Sequence, residues 1–203
     1  MLNINLNFRF FSMRELDILS QIAYAKKINS FLVSLNFEYP GFNKWYWSLF
    51  ENSTIKNERD IIFYVFNSEV AGVAILKHDN NENKICTLRV SPKYQHIGIG
   101  SALIEKSFEI FNTDKPLITI HISKYNSFKG IFEKYNFSLE QQIQGYYGLF
   151  KSELSYNGVL SDNVIEKGSV IDSVAFYIER QMYGYPLENK TYVALDLNRT
   201  IFV

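Results

Sequence analysis

Several residue types are scarce in this chain of 203 residues, and each scarcity excludes something. A single cysteine, Cys86, rules out an internal disulfide framework and any multi-cysteine zinc site. The three histidines, His78, His96 and His121, stand far apart in sequence, so no metal site is expected. There is no excess charge of either sign: 21 Lys and Arg balance 21 Asp and Glu. Bulk electrostatics therefore give no reason to expect a nucleic-acid partner. No apolar run approaches the ~20 residues needed to cross a bilayer. The first ten residues alternate Asn with apolar side chains and lack a basic stretch ahead of an apolar one, unlike a signal peptide. The expectation is a soluble cytoplasmic protein with no membrane partner.

What is present is enough for a core. Apolar residues make up 47% of the chain, which excludes a mainly disordered polymer, and the length suits one domain with an appendage. Ile4, Leu6, Phe8 and Phe10 alternate with polar residues, the period of a half-buried strand. Ser12 and Glu15 have the spacing of a capping box, which predicts a helix from about Met13 to about Asn29. Tyr39-Pro40-Gly41 is a break, and the aromatics Trp45, Tyr46 and Trp47 after it read as core or as the wall of a cleft. Asn52 to Asp60 reads as a loop. Three strands then follow on short turns, Ile61–Phe66, Val70–Leu76 and Lys84–Val90, which favours an antiparallel meander.

A helix starting near Ser101, a buried strand Leu117–Ile122 and a helix carrying Phe128, Ile131, Phe132 and Tyr135 come next. A strand, a helix and a strand in that order suggest a parallel crossover. Asn136 stands where a helix ends in the left-handed conformation. Ser138–Gln144 and Leu149–Tyr156 read as a final hairpin around Gly145 and Gly148. Beyond Asn157 the chain reads as an extension, with an apolar stripe of Val170, Val174, Ile178 and Met182 that needs burial.

The chemistry centres on the turn between Val90 and the helix at Ser101. Gly98 and Gly100 flank one residue at a strand-to-helix junction, where free N–H groups and the helix dipole favour a phosphate. A Rossmann fingerprint would need a small residue where Leu103 stands, and a P-loop would need Gly-Lys-Ser/Thr where Gly100-Ser101-Ala102 stands. Neither fits; a tight turn without a ligand is the plain alternative.

The string Val90-x-Pro92-x-Tyr94-Gln95-x-x-Gly98-Ile99-Gly100-Ser101-x-Leu103-Ile104 resembles the coenzyme A motif of the Gcn5-related N-acetyltransferases (GNAT). The resemblance covers roughly residues 3 to 157. It implies a mixed α/β (α+β) fold with a mostly antiparallel central sheet flanked by helices. It also implies two regions, residues 1–157 as the acetyltransferase domain and 158–203 as a C-terminal α/β extension. The cofactor implied is acetyl-CoA, its pyrophosphate cradled by backbone around Gln95, His96, Ile97, Gly98, Ile99, Gly100 and Ser101. Its pantetheine arm would pair with the backbone at Leu88 and Val90, and the Val90 amide would polarise the thioester carbonyl.

The implied reaction is direct attack of a primary amine on the thioester, with a small molecule or a peptide as acceptor. Phe132 occupies the place where this family often has a tyrosine acid, and Phe donates no proton. Tyr135 and, in the last hairpin, Tyr147 beside Tyr146 are the substitute phenols. Glu38, Glu82 and His121 are the candidate bases, and Cys86 reads as a buried structural thiol. The extension either covers the acceptor cleft or packs on a second subunit of a homodimer. The alternative function is a non-catalytic acyl-CoA-binding or regulatory module, for which Phe132 is the supporting feature.

Overall fold

The computed structural model describes residues 8–39, 41–144 and 152–160. Tyr146, Tyr147 and the extension beyond Leu160 lie outside them, as does most of the alternating stretch that begins at Ile4. The described chain runs through β1 (Arg9–Ser12), α1 (Ile18–Leu32), α2 (Leu35–Glu38), α3 (Phe42–Ser48), β2 (Phe50–Glu51) and β3 (Thr54–Ile55). It continues with β4 (Arg59–Phe66), β5 (Glu69–His78), β6 (Asn83–Val90), α4 (Ile99–Phe111), β7 (Leu117–His121), α5 (Tyr125–Lys134), β8 (Leu139–Gln144) and β9 (Ser152–Tyr156).

Seven strands form one sheet in the order β1-β4-β5-β6-β7-β9-β8, while β2 and β3 make a separate hairpin. All neighbours in the large sheet are antiparallel except β6 and β7. This is the expected mixed sheet, with the meander and the parallel crossover where the turn lengths and the intervening helix put them.

Alternation along the strands sorts side chains onto two cores. Ile61, Phe63, Val73, Ile75 and Cys86 face α1 and α3, where Ile28, Leu32, Phe42 and Tyr46 close the layer. Ile62, Ala74, Leu76, Ile85 and Leu88 face α4 and α5, packed against Ile99, Leu103, Ile104 and Phe132. Phe42, Trp45 and Tyr46 are thus core, and the Tyr46 hydroxyl donates to the Ala25 carbonyl at 2.9 Å, tying α3 to α1. Trp47 is left on the surface.

Two local expectations are corrected. Ser12 does not cap a helix; its hydroxyl donates to Asp60 Oδ2 at 2.8 Å, and Met13–Glu15 forms only a 3-10 turn. Leu16 is extended, so the helix waits for Asp17, whose carboxylate accepts from the Ser20 amide at 3.0 Å and from its hydroxyl at 2.6 Å. Ser20 thereby holds the Asp17 carboxyl below its ordinary range. The stretch read as a loop from Asn52 also contains β3 and the start of β4, because Asn52 and Ser53 take positive φ and close a hairpin.

Candidate functional site

The site begins where the sheet fails to stay closed. Strands β6 and β7 pair only through Lys84 with Leu117 and Ile85 with Ile118, and then part. On its other edge β6 stays on β5 to Val90, with a one-residue bulge: Thr87 pairs with Ile75 and Ile85 with Leu76, leaving Cys86 over. The Ser91 amide donates to the Ala71 carbonyl at 2.9 Å. Antiparallel alternation then turns the backbone of Leu88 and Val90 the other way, into the gap beside β7. A free strand edge faces a fork. The Val90 carbonyl is already used, accepting from Gln95 Nε2 at 3.2 Å.

The glycine turn closes the upper end of this edge. Pro92–Tyr94 makes a 3-10 turn, and Tyr94 packs edge-on against Phe66. His96 takes φ 61° and Gly98 φ 99°, so the chain twists through two left-handed positions before α4. No side-chain hydrogen bond caps α4, and the N–H groups of its first turn have no carbonyl one turn behind them. A Cβ on Gly100 would lie 3.5 Å from Ile131 Cδ1 and 3.7 Å from Val90 Cγ2, ordinary contacts. Gly100 is therefore not demanded by packing. Gly72 on β5 is: a Cβ there would fall 2.7 Å from Ile99 Cγ2, so its absence lets the start of α4 press onto the sheet.

Ile99 and Leu88 are buried and Ile97 packs against the same core, so these residues offer the gap their backbone rather than their side chains. An uncapped helix start, two left-handed turn residues and an unpaired strand edge suit a ligand with a pyrophosphate and an extended amide arm. Among the described residues no cluster could hold a metal ion, and no helix is long and apolar enough to cross a membrane.

On the α1–α3 face the fork is polar. Along β9, Leu154 and Tyr156 turn toward α4 and α5, which sends Glu153 and Ser155 to the opposite face. Glu153 pairs in register with His121, and Ser155 with Thr119. Glu153, Thr119 and Ser155 are all 0% exposed. Above them lies Tyr39, whose phenol is pushed up by burial first and then by the nearby Glu153 and Glu38 carboxylates. Lys124, just after β7, bridges Glu38 at 3.0 Å. His121 Nδ1 accepts from the Ser123 amide at 3.2 Å, which assigns the neutral ring's proton to Nε2.

Of the bases expected from sequence, Glu38 and His121 reach this face of the fork. Glu82 does not: it sits in the β5–β6 turn, paired with Lys77 at 2.6 Å. Tyr135 lies between α4 and α5, where its hydroxyl donates to Glu105 at 2.7 Å and accepts from Lys134 at 2.7 Å. Phe132 is buried with its ring stacked 3.9 Å from that of Tyr156. Glu153 escaped the sequence reading; the signal was one acid inside the alternating run Ser152-Glu153-Leu154-Ser155-Tyr156.

At the closed end of the fork sit Lys84 and Cys86. Lys84 is 0% exposed and its Nζ has no hydrogen-bond partner among the described residues. Burial pushes its pKa down, and burial likewise pushes the Cys86 thiol up, although the Lys84 and Arg59 charges oppose that. Arg59 Nη1 stands 3.5 Å from Cys86 Sγ.

Comparison with known proteins agrees with this architecture. The N-acetyltransferase of Staphylococcus aureus Mu50 superposes with TM-score 0.53 at 16% identity, over 74% of this chain and 96% of that one. Arabidopsis thaliana NAA60 in complex with acetyl-CoA gives 0.52 at 15%, over 74% and 97%. The ribosomal-protein-S18-alanine N-acetyltransferase of Escherichia coli gives 0.51 at 15%, over 77% and 97%. At these identities the likeness is one of fold. No curated protein matches in sequence. The family profile described as acetyltransferase (GNAT) domain matches residues 42–148, from α3 through the glycine turn and the fork to the last hairpin, and the chain belongs to that family.

Proposed function

We propose that the chain moves an acetyl group from acetyl-CoA to a primary amine by direct attack. The observation that carries this is the fork: the backbone of Leu88 and Val90 faces a gap that ends at the uncapped start of α4. Solved relatives in the fold include one in complex with acetyl-CoA and others named as N-acetyltransferases.

In this reading the first-turn amides of α4 and those from His96 to Ser101 hold the pyrophosphate. The edge of β6 aligns the pantetheine arm, and the Val90 amide faces the thioester oxygen. Acetyl-CoA supplies an activated acyl group and a thiolate leaving group. The chain's part is to orient the two reactants, exclude water and move two protons. Tyr135 and Tyr147 are the phenols proposed to serve the thiolate; Tyr135 must first give up its bond to Glu105. Residues 1–157 form the proposed catalytic domain and 158–203 its extension, with a cytoplasmic location.

The test is binding and turnover with the glycine turn altered. Gly100→Glu puts negative charge at the proposed pyrophosphate site, and a Cβ there makes only ordinary contacts with Ile131 and Val90. Acetyl-CoA binding, followed by calorimetry, is expected to vanish with the thermal midpoint retained; retained binding refutes the site. Thiol release from acetyl-CoA across a panel of amines then checks transfer. A second reading, a non-catalytic acyl-CoA-binding module, draws on buried Phe132. Tight binding with no thiol release from any amine favours it.

A further inference from the structure

The α1–α3 face of the fork holds a buried carboxylate that the cofactor reading leaves without a task. Leu88 lies three residues beyond Ile85 and His121 three beyond Ile118, the last pair before the strands part. At ~3.3 Å per residue the fork is thus open by about 10 Å of strand length at this level. Glu153 stands beside His121 on the neighbouring strand, ~5 Å across the ladder, and on the face away from α4. A thioester aligned on β6 therefore has the cofactor helix on one side of the sheet and Glu153 with Tyr39 on the other.

A second polar side chain lies on that face. The Thr119 hydroxyl is buried with no hydrogen-bond partner among the described residues, two register positions from Glu153 on the same face. An unmade hydrogen bond of this kind costs about 1–3 kcal/mol, so a group that supplies it is welcome. Tyr39 stays a neutral phenol. Among the described residues, Tyr39 lies near Glu153, with Glu38 also beside Tyr39 and Lys124 bridged to Glu38, and His121 stands opposite on β7. His121 Nδ1 accepts from the Ser123 amide at 3.2 Å.

We propose that the acceptor enters from the α1–α3 face as a primary ammonium and that Glu153 takes its proton. This rests on the acetyl-transfer reading. The ammonium gives one proton to the Glu153 carboxylate and becomes a neutral amine. Its nitrogen bonds to the thioester carbon, the carbon–sulfur bond breaks, and its electron pair leaves on sulfur. The second proton, lost from nitrogen as the amide forms, goes to the thiolate. Glu153 then returns its proton to solvent.

The experiment follows acetyl-CoA binding by calorimetry and thiol release with n-butylamine across pH. Glu153→Gln is expected to bind acetyl-CoA as the wild type does and to lose about 10²-fold or more in kcat. It is also expected to lose the acid limb of the kcat/KM profile, and Glu153→Asp is expected to restore part of both. Thr119→Val removes a hydroxyl that holds no partner, so its fold is kept; the KM for n-butylamine should rise ~3-fold or more with acetyl-CoA binding unchanged. Intact turnover in Glu153→Gln overturns the inference and leaves acetyl transfer standing. If Glu153→Gln fails to fold, an unchanged KM in Thr119→Val overturns it instead. A wild type that does not bind acetyl-CoA overturns the acetyl-transfer reading itself.

Discussion

Replacing Lys84 by methionine is expected to stabilise the protein at neutral pH, by an amount that shrinks as pH rises. The Lys84 side chain is fully buried beside Cys86, and its Nζ makes no hydrogen bond among the described residues. Desolvation is the largest influence on it; the Cys86 and Glu82 charges pull its pKa back up, and Lys77 and Arg59 add to the fall. The folded-state pKa is therefore below the unfolded one, and in the interval between them only the unfolded chain holds the proton. Stability then rises with pH across that interval, at about 1.4 kcal/mol per pH unit, and is flat below it.

Methionine keeps most of the apolar stem and removes the titrating group, so a gain of ~1–4 kcal/mol is expected. Urea unfolding of both proteins at several pH values from about 7 to 10 measures it, and the difference between the curves isolates this one lysine. Destabilisation by Lys84→Met with no pH slope would refute the reasoning, because it would mean that Lys84 is charged and well paired.

Three further outcomes follow from packing. Gly72→Ala would drive a Cβ to 2.7 Å from Ile99 Cγ2, so a loss of ~1–3 kcal/mol is expected in urea unfolding, with weaker acetyl-CoA binding in calorimetry because the start of α4 moves. Phe132→Ala removes the ring stacked on Tyr156 and Phe137 and should cost about 3–5 kcal/mol; a much smaller loss would show that the ring faces the gap and not the core. Cys86, fully buried with its thiol pushed up, should react with a disulfide reagent only as fast as the protein unfolds, which stopped-flow absorbance can follow.

The meander, the crossover and the glycine turn were legible because each depends on local rules. Short apolar runs mark β4, β5 and β6, their turns are too short for anything but antiparallel neighbours, and Gly98 stands at a backbone angle that other residues seldom take. The start of α1 was misread for a reason of the opposite kind. Ser12 and Glu15 are spaced as a cap, but the Ser12 hydroxyl goes to Asp60, 48 residues later, a partner that no local window contains.

By itself the sequence determined the order of the main strands and helices and the glycine turn ahead of α4. Only the tertiary structure decided which side chains share the fork. Glu153 comes from β9, Thr119 and His121 come from β7, and Tyr39 joins them from the far end of the α2 turn. Their common face is fixed by strand register and by the parting of β6 from β7 after Ile85. Register depends on pairing between segments distant in the chain, and a slip of one residue would turn Glu153 into the other core.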